Sequence, residues 1–212
     1  MSENSDVDKK SMKKVLFINS TPKPMENSIT LQMAHNFIEN YKSVNPYDEI
    51  STLNLYEENI RFLDLDNLNQ MFSKDPEKID FVHYTKQFVE ADRYIIAAPM
   101  WNLTVPAILS AYLDYANVQG LTFYYTATGA VGMLGGKGKK AVLISSRGGG
   151  YSEGKWEPFE MAERYVRKQF EFLGITDFQL VLMDWADVLQ GDELDRAKKL
   201  SMENASKAGQ NF

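Results

Sequence analysis

Ile95-Ile96-Ala97-Ala98-Pro99-Met100-Trp101-Asn102 decides the architecture of this chain. An apolar run with no polar alternation stops at a proline, presents Met, Trp and Asn in succession, and gives way to helix-like sequence from Thr104. Unbroken apolar strands belong to parallel sheets, because helices cover both faces and leave no wet side. Ligands in such sheets bind just beyond the carboxyl ends of the strands. An aromatic ring and an amide at that edge therefore point to a flat ligand with a polar rim.

Outward from this stretch, strands and helices alternate. Lys14–Asn19 predicts a first buried strand, followed by a proline-containing loop, Ser20 to Ser28, that cannot continue a ladder. Ile29, Met33, Phe37 and Ile38 recur at helical spacing over Ile29 to about Tyr41, with Asn27 or Ser28 placed to cap. A second strand is expected at Glu49–Leu55. Glu57 to Asp80 reads as irregular or partly helical, and a helix from about Ile79 to Glu90 leads into the Arg93–Ala98 strand. Thr104 to Val118 reads as a helix with Pro106 in its first turn. Leu121–Lys139, aromatic and then glycine-rich, is an excursion before a fourth strand, Lys140–Ser145. A helix over Glu157–Phe172 ends at Gly174, a fifth strand spans Thr176–Met183, and a last helix runs from Asp192 to about Gly209. The pattern predicts an α/β sandwich of three layers: a five-stranded parallel sheet of order 2-1-3-4-5 with helices on both faces. Its crevice falls between the first and third strands.

At 212 residues the chain fits one domain, residues 13–212, behind a loose extension over residues 1–12. A net charge of −6 argues against a general nucleic-acid or anionic-membrane surface. No apolar run approaches the ~20 residues that span a bilayer, and residues 1–10 lack the apolar centre of a signal peptide. The absence of cysteine removes disulfides, thiolate metal sites and cysteine nucleophiles, and fits a cytoplasmic protein.

Three loops converge on the predicted crevice. Ser20, Asn27 and Ser28 surround a helix N-terminus, whose unpaired N–H groups suit a phosphate; Glu26 must point away from it. Pro99, Met100, Trp101, Asn102 and Leu103 offer backbone donors and an aromatic wall to a planar ring. Ser146, Arg147, Gly148 and Gly149 follow the fourth strand, where glycines permit close approach and positive φ. Other chemistries lack their residues. Gly132–Lys140 has the wrong spacing for a phosphate loop and precedes a strand, no GxGxxG follows the first strand, and no Gly-x-Ser-x-Gly elbow exists. His35 and His83 stand alone, so no metal site is expected.

With these pieces in place, the chain resembles the FMN-dependent NADH azoreductases and NAD(P)H:quinone oxidoreductases, flavoproteins of flavodoxin-like fold, over about Lys13 to Ala205. The resemblance rests on Pro99-Met100-Trp101-Asn102 with Val105-Pro106-Ala107, on Thr122-Phe123-Tyr124-Tyr125-Thr126 with Gly129 and Gly132, on Ser146-Arg147-Gly148-Gly149, and on Phe172-Leu173-Gly174-Ile175. It implies that Ser20, Asn27 and Ser28 hold the FMN phosphate, that Pro99 to Leu103 line the isoalloxazine ring, and that Ser146, Gly148 and Gly149 reach its pyrimidine end. It further implies a homodimer with sites at the interface, and a substrate pocket walled by Trp101, Tyr125 and Phe172. Trp101 replaces the family's usual tyrosine or phenylalanine, and Glu26 a small polar residue. The implied activity passes two electrons from NADH or NADPH to quinones and azo compounds by ping-pong exchange, without a catalytic protein side chain. NADH versus NADPH stays open: Arg147 or Lys137 is placed either to contact a ribose phosphate of the donor or simply to be solvated. The alternative is a flavodoxin-type electron carrier without a small-molecule substrate.

Overall fold

The computed structural model describes residues 12–72 and 75–212, so the expected extension lies outside the described residues except for Met12. Five parallel strands form the central sheet: β1 (Lys14–Asn19), β2 (Glu49–Asn54), β3 (Arg93–Ala97), β6 (Lys140–Ser146) and β7 (Asp177–Met183), in the order β2-β1-β3-β6-β7. Counting the sheet's own strands along the chain, this is the predicted 2-1-3-4-5. A separate antiparallel hairpin, β4 (Phe123–Thr126) with β5 (Gly129–Gly132), accounts for the excursion before β6.

Alternation along each strand sorts side chains into two cores, one per face. Leu16, Ile18, Tyr94, Ile96, Ala141 and Leu143 face a cluster built with α3 (Val82–Glu90), α4 (Ala107–Ala116) and α5 (Ala162–Phe172). Val15, Ile95, Ala97, Val142, Ile144 and Val181 face α1 (Ile29–Val44) and α6 (Gly191–Asn211). Ile95 and Ile96 are both fully buried, on opposite faces, which is why the sequence there shows no polar alternation. α1 and α6 approach closely at Gly209, where a Cβ would lie 2.2 Å from the Phe37 carbonyl oxygen.

Two helix starts beside the sheet's carboxyl edge differ from the sequence reading. α4 begins at Ala107 rather than Thr104: Thr104 belongs to a tight turn with Trp101, and Pro106, at φ −53° and ψ 137°, takes the N-cap position instead of the first turn. A proline also holds the residue before it out of helical conformation. The segment expected to start a helix at Glu157 is a 3₁₀ stretch, Gly154–Phe159, with Pro158 inside it. Within the acidic segment, α2 (Leu65–Met71) is a capped helix: Asp64 accepts from Asn67 N, and the Asn67 side chain returns to Asp64 N.

Candidate functional site

The carboxyl ends of β1, β3 and β6 open onto a crevice of about 490 Å³, the topological switch point of the sheet. One wall is the start of α1. Ser28 caps that helix by accepting from Leu31 N at 3.2 Å, so its own hydroxyl proton is left to donate outward. Helix geometry leaves the N–H groups of Ile29 and Thr30 without intrahelical acceptors. Thr21, Lys23, Asn27 and Thr30 complete this end, which is rich in neutral and cationic donors. Glu26 is exposed and is not part of the wall. Ser20 is fully buried, with its hydroxyl donated to Ala97 O at 2.9 Å, and does not line the crevice. Lys23 carries the positive charge that the sequence reading left out.

The crevice continues into an open groove of about 1050 Å³ lined by Met100 to Leu103, Gly148, Gly149, Tyr151 and Asp187. Its floor is anchored to the sheet, since Met100 N donates to Ser146 O at 3.0 Å. Beyond it, Trp101 and Thr104 exchange both backbone hydrogen bonds, 2.8 and 3.1 Å, around a two-residue turn. Asn102 and Leu103 occupy the turn at φ +49° and +72°. Two consecutive positive φ values are the mark of a tight hairpin turn. Asn tolerates them, while Leu is strained by roughly 1–2 kcal/mol. Strain of this kind collects at functional sites. Leu103→Gly is expected to raise stability by about 1 kcal/mol, measured by urea unfolding of the ligand-free protein. The N–H groups of Asn102, Leu103, Gly148 and Gly149 have no acceptor among the described residues. Four unclaimed backbone donors thus border the groove.

The glycine run after β6 works by close approach, not by positive φ: none of Gly148, Gly149 and Gly150 has positive φ. It pairs with the loop after β7, with Arg147 N donating to Met183 O, Trp185 N to Gly149 O, Ala186 N to Arg147 O and Asp187 N to Gly148 O at 2.9–3.2 Å. A Cβ on Gly150 would lie 1.9 Å from the Trp185 indole, and one on Gly148 would lie 2.4 Å from Asp187 Oδ2. This fourth loop was missed in the sequence. Its only signal is the polar Asp184-Trp185-Ala186-Asp187 directly after a strand.

Arg147 has a structural post. Its side chain is 3 % exposed, and its guanidinium lies 3.1 Å from Glu160 Oε1 and 3.7 Å from Asp184 Oδ1, the second an ionic contact too long for a hydrogen bond. The guanidinium is therefore committed to carboxylates inside the protein, contrary to a role on a donor's ribose phosphate. Lys137 does not line either groove. Glu160 also accepts from Glu163 N and Arg164 N at the start of α5, and Met161 N donates to Leu103 O at 3.0 Å. The glycine loop, the Trp101–Thr104 turn and the first turn of α5 are thereby joined.

Tyr125 and Phe172, expected in the substrate pocket, line neither groove of their own chain. They are 63 % and 42 % exposed and meet through Phe123, whose ring lies 5.5 Å from Tyr125 and 5.2 Å from Phe172. His35 pairs with Glu39 at 3.1 Å on the α1 surface, and His83 packs on Tyr84.

A doubly wound sheet of this order, with a donor-rich helix N-terminus and an open groove at its switch point, defines a flavodoxin-like protein. A family described as flavodoxin-like fold matches residues 13–206. An FMN-dependent NADH:quinone oxidoreductase 2 of Clostridium acetobutylicum is 47% identical over 203 residues, covering 95% of this chain and 100% of that protein. Among solved structures, an azoreductase from Bacillus anthracis superposes with a TM-score of 0.87 at 34% identity, covering 95% of this chain and 100% of the other. An FMN-dependent NADH-azoreductase from Bacillus anthracis, solved in complex with FMN, gives 0.80 at 30% identity over 93% and 100%. The chain belongs to this family of flavodoxin-like FMN-dependent NADH:quinone oxidoreductases and azoreductases.

Proposed function

We propose that the protein is an FMN-dependent oxidoreductase that passes two electrons from NADH to quinones and azo compounds, taking its two substrates in turn at one groove. The observation that carries this reading is the continuity of the site: a crevice at the α1 N-terminus, with Lys23 in its wall, leads directly into a groove bordered by four unclaimed backbone donors. The residues present fit a flavin mononucleotide. Ser28, Asn27, Lys23 and the first N–H groups of α1 would hold the phosphate. Met100 to Leu103 with Gly148 and Gly149 would hold the ring, their N–H groups meeting its polar rim.

When bound, FMN supplies the hydride-accepting and electron-donating chemistry. The chain's own contribution is position and electrostatics. Backbone N–H groups fixed by the Trp101–Thr104 turn and by the paired glycine loop offer stabilisation to developing negative charge without reorganising. Trp101, half-buried, supplies an apolar wall for a planar acceptor. The exposed pair Tyr125 and Phe172 lies outside its own chain's grooves, which supports a homodimer in which each chain closes the other's pocket. Arg147 being committed to Glu160 and Asp184 favours NADH over NADPH. Steady-state rates with varied NADH and menadione test the exchange: parallel double-reciprocal lines are expected. Intersecting lines, or a rate with NADPH equal to that with NADH, would contradict it.

A further inference from the structure

We infer that Asp187 selects electron acceptors by charge, favouring neutral or cationic planar molecules over anionic ones; this rests on the flavin reading above and adds a substrate class to it. Of the charged side chains lining the connected grooves among the described residues, Arg147 is neutralised within the protein, Lys23 lines the crevice beside α1, and Asp187 stands where crevice and groove meet and lines both. The open groove beside Trp101 and Tyr151 has one charged side chain in its lining, Asp187.

Its placement is built in. Asp187 N donates to Gly148 O at 3.1 Å, the last rung of the pairing between the two loops. Trp185 turns the chain at φ +66°, a conformation L side chains rarely adopt, and does so two residues before the carboxylate. Gly148 leaves the space that Asp187 Oδ2 occupies. The Asp187 carboxylate makes no hydrogen bond or ion pair among the described residues, so nothing within the chain cancels its charge at the groove. A planar acceptor that enters beside Trp101, against the ring held by Met100 to Leu103 and Gly149, carries its substituents past this group. A sulfonate or carboxylate on such a molecule meets like charge.

The test uses FMN-saturated full-length protein and two redox-inert planar probes, naphthalene-2-sulfonate and neutral 2-naphthalenemethanol, titrated by calorimetry. Asp187→Asn is expected to tighten the sulfonate about fivefold, the scale of an exposed charge interaction, and to leave the alcohol unchanged. The ratio of kcat/KM for 1,4-naphthoquinone to that for its 2-sulfonate should fall by about the same factor. A second measurement needs no variant: raising salt from about 0.1 M to about 1 M shortens the Debye length from about 10 Å to about 3 Å, and should tighten the sulfonate on the wild-type protein. Equal responses of both probes to the substitution, or a sulfonate affinity in the wild type that ignores or weakens with salt, would overturn the role of Asp187 while leaving the flavin reading intact. Wild-type protein that takes up no FMN would overturn both.

Discussion

Glu160→Ala is expected to destabilise the ligand-free protein by about 3–5 kcal/mol and to abolish tight FMN binding. The substitution leaves Arg147, 3 % exposed, with Asp184 at 3.7 Å as its remaining counter-charge. A buried ion pair is weak evidence of net stabilisation, but removing one partner strands the other in a medium where it cannot be hydrated. Glu160 has a second task, since its carboxylate receives Glu163 N and Arg164 N at the positive end of α5. Glu160→Gln keeps acceptors for those donors and removes the charge, so it should fall between wild type and Glu160→Ala. For a chain of this size the alanine variant should lose about 10 °C in Tm. The loss reaches the site because Arg147 begins the glycine loop and the adjacent Met161 holds the Leu103 carbonyl. Urea unfolding of FMN-free protein checks the first part, and an FMN titration the second. A loss under about 1 kcal/mol, the scale of an exposed pair, would show that the loop is held by its backbone pairing alone.

Ser28→Ala and Lys23→Ala should each weaken FMN about tenfold to a hundredfold while leaving riboflavin unaffected. A hydrogen bond to a charged group contributes about 1.5–3 kcal/mol, and 1.4 kcal/mol is a factor of ten in affinity. Ser28 loses its outward donor and also its cap, the latter costing about 1 kcal/mol of stability. Lys23 is exposed, and its side chain makes no hydrogen bond or ion pair among the described residues that its loss would disturb. Riboflavin has the ring but not the phosphate, so comparing the two ligands isolates the α1 end of the site. Equal weakening of both ligands would move the phosphate away from α1.

The sheet was legible because its three inner strands are largely buried on both faces, and burial writes itself as the apolar runs Val15–Ile18, Tyr94–Ala98 and Ala141–Ile144, whereas the edge strand β2 is mostly exposed. The three loops were legible because they leave those strands at one edge. Other features depend on contacts distant in sequence. Ser20 and Ser28 look alike in the chain, yet one hydroxyl goes to a neighbouring strand and the other remains at the crevice. Arg147 beside three glycines suggests a ligand-facing cation, and only the approach of Glu160 and Asp184 makes it internal. The start of α4 was misplaced because Thr104 and Val105 fit an apolar helical face, while the turn at Asn102 and Leu103 rests on two left-handed residues that no propensity favours for Leu. Asp187 escaped notice because its position follows from the strand-like pairing of two loops, for which the sequence carries no periodicity.

The central claim is tested most directly by adding FMN to the purified protein and then NADH in the absence of air. The account predicts a stoichiometric complex with a perturbed visible flavin spectrum, bleached by one equivalent of NADH and restored by menadione. A protein that does not bind FMN at micromolar concentration, or whose bound flavin keeps its colour under NADH, would contradict it.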